Sequence, residues 1–311
     1  EDCQFLVGFT KEQQQICGRS LELMNYVLEG VVESIQACRA EFEGERWNCS
    51  GGLESVNSGG RVVEAGTRET AFLYAILSAG VTHKVTKACS SGRLKNCGCD
   101  RTLTGQEEWS GCSDNVAYGK AFARSLIDVR EELVGMSHPS RALLNLHNNN
   151  AGRKTVELSM RTHCRCHGVS GACEMKTCWK TLPPFDDVSK RLKINYDNSK
   201  MVKLKKAGSQ MDFAPQQQQP HSFNETDLLF THASPSYCDL DLSRGSLGTS
   251  GRLCSNDKTA TTDSCKVLCC GRGYVVVGEV TLVEKCHCKF HWCCRVECQE
   301  CKRRVELYRC K

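Results

Sequence analysis

The sequence predicts an α+β chain: a helical N-terminal domain with a disulfide-stapled hairpin loop, followed by a small cysteine-rich β-hairpin C-terminal domain. Three observations predict it. Apolar residues recur three and four apart through the first 160 positions. Four cysteines crowd into residues 164–178, and twelve of the 24 cysteines fall in the last 75 residues among β-branched runs. With 311 residues and 40% hydrophobic content, the chain has ample material for packed cores.

Each element follows from its pattern. Met24, Val27, Leu28, Val31, Ile35 and Cys38 line one helical face, and Tyr118, Phe122, Ser125, Leu126 and Val129 another. Thr67 is a cap candidate for a helix through Ala71, Phe72, Leu73, Ile76 and Leu77 that is apolar on most sides, as the centre of a bundle would be. A further helix is expected after the cap candidate Ser140, through Leu143, Leu144, Leu146 and His147 toward Met160. Pro183-Pro184 opens one more, with Phe185, Val188 and Leu192 on one side. The polar stretch 207–236, with four glutamines between Pro215 and Pro220, reads as a linker. Domains are therefore expected at 1–206 and 237–311, the second built from strands such as Tyr274–Val277 and Val280–Val283. So small a piece has little apolar core, and each bridge closing a loop contributes roughly 2–4 kcal/mol.

The even, high cysteine count argues against a reducing cytosol and points to an oxidising compartment, as on the secretory route. The sequons Asn48-Cys49-Ser50 and Asn224-Glu225-Thr226 agree, marking Asn48 and Asn224 as N-glycan acceptors. The chain opens at Glu1 without a basic start and apolar run, as expected once an export signal has been removed. Its longest apolar stretch, Ala71 to Val81, is too short to span a bilayer. Net charge is +5, with basic clusters from Lys190 to Lys206 and at Lys302, Arg303 and Arg304. These read as solvated faces or as attraction for sulfated glycans, not as a nucleic-acid surface.

The most informative segment is Cys164-Arg165-Cys166-His167-Gly168-Val169-Ser170-Gly171-Ala172-Cys173, continuing to Lys176-Thr177-Cys178-Trp179. Nested pairing of its four cysteines would leave Gly168 and Gly171 free for tight turning and push Ser170 into solvent, open to a modifying enzyme.

This segment resembles the acylation loop of the Wnt family. Arg46-Trp47-Asn48-Cys49, Gly66-Thr67-Arg68-Glu69, Trp109-Ser110-Gly111-Cys112-Ser113-Asp114-Asn115, Leu146-His147-Asn148-Asn149 and Cys288 to Cys294 resemble Wnt segments in the same order, and the local sequence leans toward a Wnt-4-like or invertebrate Wnt. The resemblance spans essentially the whole chain and implies a secreted signalling ligand, not an enzyme. It implies that Porcupine esterifies Ser170 with palmitoleate, and that His167, Gly168, Val169, Ser170 and Gly171 meet the cysteine-rich domain of Frizzled. About a dozen methylenes at ~0.8 kcal/mol each give roughly 10 kcal/mol of gross apolar burial, much of it offset by the cost of association.

A second receptor contact is implied at a finger of Phe290, Trp292, Cys293, Cys294 and Val296, where aromatic anchors suit a hot spot. The other partners implied are a low-density-lipoprotein-receptor-related co-receptor, a lipid-shielding carrier, heparan sulfate proteoglycan and, through the lipid, membranes. β-Catenin or planar-polarity signalling would follow. No cofactor or metal is expected beyond the acyl group and N-glycans.

By the same resemblance, the disulfides are Cys38 with Cys49, Cys89 with Cys97, Cys99 with Cys112, Cys164 with Cys178 and Cys166 with Cys173 in the first part. In the second they are Cys238 with Cys270, Cys254 with Cys265, Cys269 with Cys310, Cys286 with Cys301, Cys288 with Cys298 and Cys293 with Cys294. Cys3 and Cys17 remain to pair with each other; spacing alone leaves the connectivity open. Two departures stand out: Ala172 where most members have serine, leaving Ser170 the sole serine acceptor in the loop, and Asn150 where glutamate is common.

Rival readings have specific weaknesses. Gly168-Val169-Ser170-Gly171-Ala172 nearly fits a nucleophile elbow with His167 nearby, but an elbow needs a strand before it and a helix after it. Cys286, Cys288, Cys298 and Cys301, with Cys97, Cys99 or His287, could form a zinc site, yet that leaves the other cysteines unexplained. His83, His138, His147 and His221 lack ligand spacing, and Asp186 and Asp187 suit a helix start. A glycan-binding protein without receptor agonism is the remaining alternative.

Overall fold

The computed structural model describes Cys3 and residues 9–49, 66–102, 111–207, 210–215, 223–256, 262–292 and 294–311. The chain forms two compact units, one of Glu1–Glu41 with Cys49–Pro235, the other of Phe42–Asn48 with Ser236–Lys311.

The first unit is built on helices α1 (Lys11–Arg19), α2 (Leu21–Glu41), α3 (Arg68–Ser90), α4 (Val116–Gly135), α5 (Pro139–Leu158) and α6 (Phe185–Asp197). α1 opens with a capping box, in which Gln13 N–H donates to the Thr10 hydroxyl oxygen and Thr10 N–H to the Gln13 side chain. α3 starts at the Thr67 cap and is buried on nearly every side, with α2, α4, α5 and α6 packed around it. Such close approach requires glycine: a Cβ on Gly80 would lie 1.9 Å from Ser34 Oγ of α2, and one on Gly152 of α5 would lie 2.0 Å from the Ala75 carbonyl. α5 begins at Pro139 with His138 in the cap position, which corrects the expected cap at Ser140. Proline in the first turn has no N–H to leave unpaired and a φ already suited to a helix.

A buried ion pair ties three helices together. Arg153 of α5 donates to both oxygens of Asp128 on α4 (2.9 and 2.7 Å) and to Ser78 Oγ on α3 (3.2 Å), while Asn149 Nδ2 adds a bond to Asp128 (3.0 Å).

After α5 the chain makes an antiparallel hairpin of β1 (Arg161–Cys166) and β2 (Lys176–Thr181). After α6 come β3 (Lys200–Ala207), β4 (Gln210–Pro215) and β5 (Leu229–Phe230), in sheet order β4-β3-β5 with β5 parallel to β3. The expected linker 207–236 thus contains two strands, and Leu228 and Leu229 within it are fully buried. Leu229 packs with Val202 and Leu144, so two leucines in a polar stretch anchor it to the helical unit.

The second unit holds β6 (Leu240–Asp241), β7 (Ser246–Leu247), β8 (Leu253–Cys254), the one-turn helix α7 (Cys265–Leu268) and the long hairpin β9 (Tyr274–His291) and β10 (Arg295–Cys310). One core cluster consists of Cys265, Leu268, Cys269 and Cys310, three of the four being disulfide sulfurs. Residues 42–48 complete this unit. Trp47 meets Phe42 edge-on at 4.8 Å, Arg46 donates to the Val267 carbonyl (3.0 and 3.1 Å), and Arg252 donates to the carbonyls of Arg46 (2.8 Å) and Glu43 (3.0 Å).

Disulfides join Cys3–Cys17, Cys38–Cys49, Cys89–Cys97, Cys99–Cys112, Cys164–Cys178 and Cys166–Cys173 in the first unit. Cys238–Cys270, Cys254–Cys265, Cys269–Cys310, Cys286–Cys301 and Cys288–Cys298 join in the second. The Cys293–Cys294 pairing lies outside the described residues, which omit Cys293. Among the described residues no helix is long and apolar enough to cross a membrane.

Candidate functional site: two stapled hairpin tips

Hairpin β1–β2 pairs Cys164 directly opposite Cys178, and their disulfide locks that rung, while Cys166–Cys173 closes the loop above it. Inside the Cys166–Cys173 loop the chain makes one tight turn, Val169–Gly171, in which Ser170 itself takes the left-handed region at φ +56° and Gly171 follows at φ +80°. A non-glycine residue pays for that conformation, and here it sets Ser170 at the exposed crest. Gly168 has ordinary extended backbone, but a Cβ there would lie 2.4 Å from the Ala172 carbonyl, which accepts the Gly168 N–H at 2.8 Å. The glycine is needed for space, not for an unusual φ. His167 bonds Thr177 Oγ1 through Nε2 (2.9 Å), which fastens its ring across the turn. Val169 is 88% exposed and Met175 69%, so apolar side chains stand in solvent near Ser170.

The base of this hairpin rests on residues 113 and 114. Lys180 N–H donates to Ser113 Oγ (3.1 Å) and Asp114 N–H to the Lys180 carbonyl (2.8 Å). The Asp114 carboxylate accepts from Leu182 N–H (2.7 Å), the Thr181 hydroxyl (3.0 Å) and Lys87 Nζ (2.7 Å). Burial alone would raise its pKa, but the bonds from Lys87 and Leu182 outweigh it and hold the carboxyl below the usual range. Gly111 leaves room for Trp179, whose ring also meets His163 edge-on at 4.9 Å. Trp109 and Ser110 lie outside the described residues.

The second tip closes β9–β10. His291 pairs with Arg295 and Phe290 with Val296, and below them Cys288–Cys298 and Cys286–Cys301 staple the stem across a register shift between Glu297 and Gln299. Trp292 is 94% exposed and Phe290 66%, with Val296 beside them also exposed. Cys294 turns the chain at φ +77°. Arg295 and Glu297 form an ion pair at 2.8 Å on the same tip.

The remaining motifs are structural. Gly66 receives Thr231 N–H (2.8 Å) and His232 N–H (3.1 Å), Arg68 lies over the Tyr196 ring (4.6 Å), and Glu69 accepts from Tyr196 Oη (3.0 Å) and Ser234 Oγ (2.7 Å). Asn148 clasps Leu229 of β5 through both amide atoms at 3.0 Å, and His147 Nε2 bonds the Asp227 carbonyl (2.8 Å). His83 is buried with Nε2 on the Pro183 carbonyl (2.8 Å), and burial lowers the pKa of both histidines. His138 is exposed in the α5 cap position, and His221 lies outside the described residues. Ser170 has no helix behind it as an elbow would require, and Cys286, Cys288, Cys298 and Cys301 are engaged in disulfides. Asp186 and Asp187 occupy the first turn of α6, where Asp187 pairs with Arg161 (3.1 Å). Of the two sequons, Asn224 is exposed in a turn; Asn48 is half-buried and Ser50 lies outside the described residues.

Two disulfide-stapled hairpins that carry apolar side chains into solvent define a cysteine-rich display scaffold. The chain belongs to the Wnt family, whose model matches residues 6–311. Human Wnt-2b is 42% identical over 316 residues, covering 99% of this chain and 79% of that protein. Wnt-5b of Pongo abelii is 42% identical over 318 residues, covering 99% and 87%. Equal identity to Wnt-2b and Wnt-5b singles out no subfamily. A chain of the solved complex of human WLS with WNT8A superimposes with a TM-score of 0.63 at 36% identity, over 92% of this chain and 93% of that one. Members of the family act as secreted signalling ligands.

Proposed function

We propose that this protein is an acylated Wnt ligand that engages Frizzled through two surfaces, the Ser170 loop and the finger at 290–296. The observation that carries the reading is Ser170 at the exposed crest of a doubly stapled hairpin, with Val169 and Met175 bare beside it. Porcupine attaches a palmitoleoyl ester to Ser170, and the chain then inserts into the groove of a Frizzled cysteine-rich domain. Trp292, Phe290 and Val296 form the second, protein-only contact, since exposed aromatics on a rigid tip lose little entropy when covered. The acyl chain also confers membrane association and a need for a shielding carrier, and a relative, WNT8A, has been solved in complex with another protein, WLS. A low-density-lipoprotein-receptor-related protein completes the receptor assembly, heparan sulfate proteoglycan holds the ligand in the matrix through its basic faces, and Asn224 and Asn48 carry N-glycans. The protein acts by bridging receptors and has no catalytic role.

Mass spectrometry of the secreted protein, wild type against Ser170→Ala, tests the reading. An acyl mass on the peptide spanning Ser170, lost in the variant together with Frizzled binding, is the expected result. An unmodified Ser170 with full receptor binding would leave a ligand that works through its finger alone, and failure of the acylated protein to bind Frizzled would favour a glycan-binding role.

A further inference from the structure

Strand β1 is exposed nearly throughout, and the covered residues of β2, Thr177, Cys178, Trp179 and Thr181, lie toward the base, with Trp179 against Gly111, so no packing at the crest fixes the direction in which Ser170 points. The orientation of the hairpin must come from its base. There the geometry is unusually concentrated: one oxygen, Asp114 Oδ2, receives Leu182 N–H, the Thr181 hydroxyl and Lys87 Nζ, at 2.7, 3.0 and 2.7 Å. Lys87 Nζ also donates to Thr181 Oγ1 at 2.8 Å, which closes a three-membered cycle of side chains. The backbone adds Asp114 N–H on the Lys180 carbonyl and Lys180 N–H on Ser113 Oγ.

The contributing elements are rigid. Lys87 stands one helical turn beyond His83 on α3, and His83 holds the Pro183 carbonyl, so consecutive turns of the central helix grip residues 181–183. Asp114 lies directly before the Asn115 cap of α4, whose side chain accepts Tyr118 N–H at 3.1 Å, and Cys112 is bonded to Cys99. From this base the disulfide rung Cys164–Cys178 lies two residues before Lys180, and Cys166–Cys173 stiffens the remainder up to the crest.

We propose that Asp114, with Lys87 as its cationic partner, is the positioning residue of the Ser170 loop: it fixes the base of a stiff two-disulfide lever and thereby the direction in which the acceptor hydroxyl is presented. This rests on the reading of Ser170 as the acyl acceptor, but the anchoring has its own measurable signature. Neither residue reaches Ser170, so the effect is transmitted through the hairpin and not through chemistry at the hydroxyl. Hydrogen bonds to a buried charged group are among the stronger ones, and the cost of losing one partner is dominated by the polar groups left behind.

The test compares Asp114→Ala, Asp114→Asn, Lys87→Met and Lys87→Arg in protein secreted from cells. Hydrogen exchange of the peptide covering 176–182 and acyl occupancy at Ser170 are measured on the same samples, with helical circular dichroism as the fold control. Expected in Asp114→Ala is exchange faster by roughly tenfold or more at the Lys180 and Leu182 amides, with a several-fold drop in acyl occupancy and an unchanged helical signal. Lys87→Met should move both readouts the same way, and Lys87→Arg, which keeps the charge, should restore them. If Asp114→Ala is not secreted, Asp114→Asn carries the test, since it retains the shape and one acceptor oxygen. Unchanged exchange at 180–182 in a folded variant overturns the inference, as does a loosened base with full acyl occupancy. A wild-type protein with no acyl group would sink the acceptor reading alone, while faster exchange in Asp114→Ala would still support Asp114 as the anchor of the loop.

Discussion

Ser170 illustrates what a single residue's backbone contributes. At φ +56° it occupies a region in which a β-branched side chain is strained, whereas serine is tolerated. Ser170→Thr keeps a hydroxyl yet should distort the crest, so we expect acyl occupancy well below wild type by mass spectrometry of the secreted protein; occupancy equal to serine would show that the turn adapts freely. The exposure of Ser170 was legible from the bracketing cysteines and glycines, but its left-handed backbone was not, because residue type alone did not demand it. The reason for Gly168 was likewise hidden, since it depends on the carbonyl of Ala172 across the turn. Inside the helical unit, Arg153 and Asp128 are side chains only 3% and 5% exposed. Arg153→Met would strand a buried carboxylate and should lower unfolding stability by about 3–5 kcal/mol, read from denaturant titration of the helical signal. Asn150, exposed on the neighbouring turn of α5, provides the contrast: Asn150→Glu should change stability by less than about 0.5 kcal/mol in the same titration.

At the scale of elements, periodicity identified the helices well because each buries a stripe, and α3 stood out because it buries nearly everything. Boundaries were harder. Proline at the first position of α5 outweighed the serine that follows it, and two short strands hid in a polar stretch in which Leu228 and Leu229 are the fully buried side chains among the described residues. The two β-branched runs, Tyr274–Val277 and Val280–Val283, expected as separate strands, both fall within β9, which extends over 18 residues, and its 16-residue partner β10 carries no such run. The length of this hairpin cannot rest on burial, since nearly all of β9 and most of the outer half of β10 are exposed, and a two-stranded ribbon by itself is marginal in water. The bridges Cys286–Cys301 and Cys288–Cys298 therefore hold the outer half. Replacing Cys288 and Cys298 together with serine should speed amide exchange at Phe290 and Val296 and weaken Frizzled binding, while the thermal unfolding of the helical unit stays in place. A tip that remains fully protected without that bridge would assign its order to strand pairing alone.

For the whole molecule, the two units divide their sources of stability unequally. The first has an extended core in which Val81, Val85, Phe122 and Leu126 pack with α2, so its bridges reinforce an existing hydrophobic structure. The second has a core cluster in which three of four buried members are cysteines, and its five described bridges substitute for apolar area. What the sequence did not reveal is that residues 42–48 belong with this second unit, because the contacts of Arg46 and Trp47 are made some 200 residues away along the chain, at Tyr237, Arg252 and Val267. That placement gives a reporter. Trp47 is buried against Phe42 and Tyr237, so its emission follows the second unit while far-ultraviolet circular dichroism follows the helices of the first. Graded reduction by a phosphine should therefore separate the two signals. Emission should shift to the red as the cysteine-rich unit opens, with most helical signal retained, and only stronger reduction or heat should remove the helices. Because Trp179 and Trp292 are already partly or fully exposed and Trp109 belongs to the first unit, Trp47→Phe should abolish most of that shift. Simultaneous loss of both signals would mean instead that the helical core depends on its disulfides as heavily as the hairpin unit does.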